Sequence, residues 1–282
     1  MGRIEKALAR AREQRQKGPG PAAAGTEVRS VAHAHPAPLK GPKRPTQVTR
    51  LPNVRHVDLD LALLAENRIV YAMHDSAATA AYKILRTRVL QRMRTNNWNA
   101  LAITGTAPGE GKTLTAINLA ISLAGEVNQI VYLVDLDLRR PSIHRYLGFE
   151  PQYGLSDYLQ NNTPLSEILV NPGIDRLVIL PNDKHFENSS EMLSSPRALE
   201  LVQELKAHDP SRLVLFDMPP LLSSDDMIAF SPYVDALLLV VSEGKTTRDD
   251  VLRARELLHD VNVVGTVLNH SLDIASGYAY GY

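Results

Sequence analysis

The chain has 282 residues, with 31 Lys and Arg against 31 Asp and Glu, 44% hydrophobic residues and no cysteine. That length allows one large or two small domains with a sizeable core, and the missing thiols exclude a disulfide scaffold, a thiolate zinc site and a cysteine nucleophile. No apolar run approaches the roughly 18–20 residues of a membrane-spanning helix, and the opening MGRIEKALARAREQRQ alternates charges where a signal peptide carries its apolar segment. Lys6 stands where myristoylation at Gly2 needs Ser or Thr. The composition therefore reads as that of a soluble cytoplasmic protein. The zero net charge hides two opposite halves: residues 1–100 carry 18 basic against 7 acidic side chains, and residues 101–282 carry 13 against 24. A basic arm on an acidic body suits an anionic membrane surface, nucleic acid or an acidic face of another copy. Aromatic residues are sparse in the basic part, so the base-stacking signature of a single-strand binder is missing and nucleic acid is not expected as a partner.

In chain order, residues 1–17 predict a short basic helix, with Ile4, Ala7, Leu8 and Ala11 as a narrow apolar stripe. Residues 18–55 read as a linker, because seven prolines stand among Ala, Gly and Lys between residues 18 and 52. Tyr82, Leu85, Val89 and Met93 recur at helical spacing and predict one helix over 77–94 whose polar face carries Lys83, Arg86, Arg88, Arg92 and Arg94. Beyond it, apolar strands are predicted at 100–104, 130–135, 177–180, 213–217, 236–242 and 263–268. Helices are expected near 112–124, 196–207, 223–230 and 246–259. Continuous apolar strands alternating with helices predict an α/β fold, a mostly parallel sheet flanked by helices on both faces.

The sharpest local signal is ALAITGTAPGEGKTLTAINLA, where a strand, a small-residue loop and a helix follow one another. Backbone amides of such a loop approach phosphate oxygens closely, and the helix N-terminus adds its dipole. Gly109, Glu110, Gly111, Lys112, Thr113 and Leu114 are the candidate nucleotide-binding residues, with Lys112 on the β- and γ-phosphates and Thr113 on Mg²⁺. The first glycine slot of the phosphate-loop pattern holds Thr106, with Gly105 one place too early. Two later strands end in acids: VYLVDLDLRRP carries Asp135 and Asp137, and LVLFDMPP carries Asp217. Carboxylates at the C-terminal ends of parallel strands lie at the crevice where such sheets bind ligands, and Mg²⁺ takes one or two carboxylates with phosphate oxygens and water.

The PGEGKT loop, LVDLDLRRP and FDMPP resemble the bacterial tyrosine kinases of exopolysaccharide and capsule synthesis, relatives of the MinD/ParA-type P-loop ATPases. GLSDYL, SSEMLSSP, VSEGKTTR and VGTVLN follow in the order of that family, and the resemblance runs over residues 75–282. It is closest to the soluble branch, whose kinase is separate from its membrane-spanning co-polymerase; the opening RIEKAL resembles the stand-alone kinases of exosortase-linked loci. The resemblance implies a P-loop kinase domain over 56–275 that uses ATP and Mg²⁺, and a tyrosine-bearing tail over 276–282. It further implies that Lys112, Asp135, Asp137 and Asp217 carry the chemistry, with Asp135 as base and Thr113, Asp137 and Asp217 around the metal. Tyr278, Tyr280 and Tyr282 would accept phosphate from other copies, and Asn269 would contact adenine. The partners it implies are a membrane polysaccharide co-polymerase that determines chain length, at the inner face of the cell membrane, and a tyrosine phosphatase. Two alternatives remain: a MinD/ParA-like ATPase switch, against which stands Ala107 in the slot of that group's signature lysine, and a nucleotide-gated, non-catalytic scaffold. Where ring-forming members carry Glu-x-x-Arg-x-x-Arg, this chain has Ala80, Lys83 and Arg86, which leaves one side of the intersubunit ion pair empty.

Overall fold

The computed structural model describes residues 54–73, 76–126, 130–206 and 212–271. The expected basic helix, nearly all of the linker, and the tyrosines at 278, 280 and 282 lie outside the described residues.

Eight strands form one sheet: β1 (Arg55–His56), β2 (Ala100–Gly105), β3 (Ile130–Asp135), β4 (Val170–Asn171), β5 (Leu177–Leu180), β6 (Arg212–Asp217), β7 (Ala236–Ser242) and β8 (Val263–Asn269). Their spatial order is β1-β4-β5-β3-β6-β2-β7-β8, and every pair is parallel except β4 with β5. All six strands anticipated from the apolar runs are present. The two-residue β1 and β4 are too short to show any period, which is why the sequence does not announce them.

The helices are α1 (Leu61–Glu66), α2 (Ala77–Asn96), α3 (Lys112–Ala124), α4 (Ile143–Leu147), α5 (Leu155–Asn161), α6 (Leu165–Ile168), α7 (Ser189–Leu193), α8 (Pro196–Lys206), α9 (Asp226–Phe230) and α10 (Arg248–Leu257). Helix α2 starts where the Ser76 hydroxyl accepts the amide of Thr79 and stops at Asn97, whose φ of 55° turns the chain out of the helix. Thr247 opens α10 in a capping box with Asp250, so this helix begins two residues later than expected. The helix foreseen over 223–230 is confined to α9. The sequence left α1 and α4 to α7 unmarked, each being two turns or less.

Strands β2 and β3 are buried along their whole length, as strands covered on both faces must be. Side chains alternate between the faces. Leu101, Ile103, Val131, Leu133, Leu213 and Leu215 join one core cluster with Val89 and Met93 of α2 and Ile117 and Leu119 of α3. Ala100, Ala102, Tyr132, Val134, Val214 and Phe216 join another with Leu201 and Leu205 of α8. Each fully buried leucine or isoleucine contributes about 1.5–3 kcal/mol, so both layers fix the sheet and its register firmly. Parity then decides the chemistry: Asp135 follows Val131 and Leu133, Asp217 follows Leu213 and Leu215, and both acids face the layer that holds α3.

Candidate active site

The site forms where β2, β3 and β6 end. Register pairs Asp135 with Asp217 across β3 and β6, and Ile103 with Asp217 across β2 and β6. Paired residues on neighbouring strands are about 5 Å apart, so the two acids are neighbours at the mouth of the phosphate loop leaving β2. That loop is tied to the neighbouring strand exit: Thr104 donates to the carbonyl of Pro219 at 2.6 Å, and the amides of Leu221 and Leu222 donate to the carbonyls of Gly105 and Thr106.

Glycine is required at two points of the loop. Gly111 has φ of 84°, and a Cβ there would lie 2.0 Å from the Asn269 side-chain nitrogen. A Cβ on Gly105 would lie 2.2 Å from a Glu110 carboxylate oxygen and 2.8 Å from the Val240 carbonyl. The Glu110 carboxylate folds back into the loop, accepting from the Thr106 and Thr246 hydroxyls and from the Ala107 amide at 2.9 Å. Asn269 donates to the Glu110 carbonyl at 2.9 Å, and Lys245 donates to the Pro108 carbonyl at 2.6 Å. The ends of β7 and β8 therefore clamp the loop from the side opposite β6. The loop pattern places Glu110 but not this side-chain latch, nor Thr246 as its partner, nor Lys245 on the Pro108 carbonyl; VSEGKTTR carries no spacing that couples it to a loop over a hundred residues away.

Helix α3 begins at Gly111 without a side-chain cap. The first-turn amides, which include Lys112, Thr113 and Leu114, have no partner within a helix and point out of its N-terminus, the arrangement that receives phosphate. Lys112 is buried, its Nζ 3.5 Å from the Ala107 carbonyl. Burial pulls its pKa down, while Asp217, Asp137 and Glu110 push it back up. Asp135 accepts the amides of Ser142 and Ile143 through one oxygen at 2.9 and 3.0 Å, and its other oxygen is buried without a partner. Both oxygens of Asp217 are buried with no hydrogen bond of full geometry, and the nearby Thr113 hydroxyl only tempers the charge. Burial raises the pKa of Asp217 to about 7, and burial with the adjacent Asp217 raises that of Asp135 well above the carboxylate range. Asp137, raised by burial as well, accepts the Arg140 amide at 2.9 Å.

These orphaned oxygens test whether a divalent cation fits. Among the described residues, no group of three or more His, Cys, Asp or Glu side chains is arranged to hold a metal alone. A Mg²⁺ that brings phosphate oxygens and water needs only one or two carboxylates; Asp137 and the Thr113 hydroxyl border a cavity of about 430 Å³ together with Lys112, Pro219 and Ser224, and Asp217 lies buried behind that wall beside Thr113. The donor set fits nucleotide-borne Mg²⁺. The structure thus brings together Gly109 to Leu114, Asp135, Asp137, Asp217 and Asn269. Asn269 reaches the loop backbone, a contact the sequence did not suggest.

A mostly parallel sheet with a phosphate loop after a central strand, and acids at the exits of the next two strands on one side of it, defines a P-loop protein. No model of a known protein family matches the chain. Tyrosine-protein kinase YwqD of Bacillus subtilis is 29% identical over 222 residues, covering 78% of this chain and 92% of YwqD. Putative tyrosine-protein kinase EpsB of Ralstonia solanacearum is 31% identical over 237 residues, covering 80% of this chain but 30% of EpsB, so the chain spans under a third of that relative. The kinase domain of Escherichia coli tyrosine kinase ETK superimposes with a TM-score of 0.64 at 31% identity, over 73% of this chain and 80% of that one. The chain belongs to the bacterial tyrosine kinase family.

Proposed function

We propose that this chain is an ATP-dependent protein-tyrosine autokinase whose acceptors are Tyr278, Tyr280 and Tyr282. The carrying observation is the pair of register-matched acids, Asp135 and Asp217, with buried unpartnered oxygens facing the uncapped start of α3 beside Lys112. In the transfer, the tyrosine oxygen bonds to the γ-phosphorus as the bond to the bridging oxygen breaks and ADP departs. A phenol has a pKa near 10 and is protonated at neutral pH, so a base must take its proton. The free oxygen of Asp135 suits that role: its other oxygen is anchored by two amides, and an elevated pKa makes its ionised form a better proton acceptor. Lys112 and the first-turn amides of α3 gather the phosphate charge, which is most of what phosphoryl transfer asks of a protein. When bound, Mg²⁺ held by Thr113, Asp137 and Asp217 would supply further neutralisation of that charge.

Family membership supports a role in exopolysaccharide or capsule synthesis, in which the phosphorylated chain regulates chain length or export through a membrane co-polymerase and a phosphatase resets it. Among the described residues no helix is long and apolar enough to cross a membrane. In this reading the chain is held at the inner membrane face through that partner. Incubation of the pure protein with Mg·ATP, followed by phosphosite mapping, tests the reading. Phosphate on the three tyrosines is expected, and Lys112→Met should lower its rate of appearance at least 100-fold with an unchanged melting temperature to within a few degrees. Hydrolysis without tyrosine phosphate would instead mark an ATPase switch, and neither would mark a scaffold.

A further inference from the structure

Beside the nucleotide cavity lies a second concavity of about 420 Å³, and Arg139, Arg140 and Arg145 wall both. Arg139 is occupied: its Nε donates to Ser189 at 2.9 Å and to the buried Asp226 at 3.3 Å, and Ser189 donates to the same carboxylate. Arg140 and Arg145 are different. Among the described residues the Arg140 guanidinium has no hydrogen-bond or ion-pair partner, and Arg145 meets only the carbonyl of Pro141. His185 adds a polar edge, and among the described residues Asp183 is the single carboxylate in the lining. Two uncompensated guanidiniums converging on one hollow repel each other, and the ligand that relieves this is a dianion able to accept paired N–H donors.

The reaction proposed above makes such a dianion next door. A tyrosine phosphate carries about −1.5 to −2 charge and three acceptor oxygens. The acceptors stand at alternate positions, 278, 280 and 282. In an extended segment, residues two apart share a face and are about 6.4–6.8 Å apart. We propose that the Arg140–Arg145 hollow binds a phosphotyrosine already formed on the 278–282 segment, and thereby sets the next tyrosine at the common arginine wall where the nucleotide cavity opens. This rests on the autokinase reading and adds an order to it: the first phosphate is slow, and each later one is hastened by its neighbour.

The test uses labelled peptides SGYAYGY, unmodified or carrying one phosphotyrosine, and fluorescence anisotropy with the full chain and ADP. The phosphopeptide should bind at least tenfold tighter than the unmodified one. Arg140→Gln, at an exposed side chain, should reduce that preference at least fivefold, Arg140→Lys should restore part of it, and Arg140→Gln with Arg145→Gln should erase it. Equal binding of the two peptides, or an undiminished preference in the double variant, overturns the proposal. So does displacement of the phosphopeptide by inorganic phosphate at equal concentration, since the hollow would then hold any small anion. The assay contains no ATP, so a failure here leaves phosphosite mapping free to succeed, and the reverse. In a time course with Mg·ATP, doubly phosphorylated chains should outnumber the binomial expectation.

Discussion

Asp217 carries two oxygens into a dry interior without giving either a full hydrogen bond, and Asp135 leaves one in the same condition. A buried carboxylate in that state costs free energy, so the folded chain holds its proton where the unfolded chain would release it. The sign follows from the pKa of about 7 for Asp217 against an ordinary 3.8. The stability linked to this group is fully present below pH 3.8 and is lost as pH rises through 7. Asp217→Asn should therefore stabilise the nucleotide-free protein by about 1–2 kcal/mol at pH 8, flatten its dependence of melting temperature on pH between 5 and 8, and abolish Mg²⁺-dependent ADP binding. Scanning calorimetry and titration calorimetry measure the two effects separately; a destabilised variant would show that the acid is compensated in the fold. The identities of Asp135, Asp137, Asp217, Lys112 and Thr113 were legible in the sequence, because each falls at a strand exit or in the loop pattern. Their electrostatic condition was not, since it depends on which neighbours share a face and on how little water reaches them. That neither Arg140 nor Arg145 has a carboxylate partner among the described residues was illegible for the same reason: a residue type shows in the letters, its pairing does not.

At the scale of the element, the phosphate loop is held between two supports, the Pro219 turn after β6 and the ends of β7 and β8. The loop was recognisable because glycines, lysine and threonine stand at fixed intervals between a strand and a helix. The supports were not, because they arrive from residues more than a hundred positions away. Gly111 shows how little slack remains, its positive φ and the Asn269 amide both excluding a side chain. Gly111→Ala should weaken ADP binding at least tenfold and lower stability by about 1–2 kcal/mol, read by titration and by urea unfolding. A variant with unaltered nucleotide affinity would mean that the loop relaxes without cost. Short helices such as α4 tell a similar story: its five residues carry no period, yet Asp135 anchors its first amides and so places Arg145 at the cavity wall.

Across the whole molecule, the layering was readable from the alternation of apolar runs with helical spacing, whereas the spatial order of the strands, with β2 inserted between β6 and β7, was not written in any local pattern. The long basic helix α2 illustrates the difference between a charge pattern and its use. Arg86 donates to the carbonyl of Ser122 at 3.1 Å and lies 3.8 Å from Glu126, so it serves as a brace between α2 and the end of α3. Ala80 and Lys83 are exposed. Arg86→Ala should cost about 1 kcal/mol of stability and leave the oligomeric state by light scattering as in the unaltered protein, because its bonds are spent within one subunit. A loss of assembly in that variant would assign the brace to an interface.

The pairing of Asp135 with Asp217 across adjoining strands has an evolutionary corollary. Removing or adding a single residue within β3 or β6 would send one acid to the opposite layer and dismantle the site in one step, whereas lengthening the connections at the far edge of the sheet would leave it intact. Drift in this lineage should thus be lopsided: strand lengths frozen at the exits that carry the two acids, with gaps and insertions accumulating around β1 and β4.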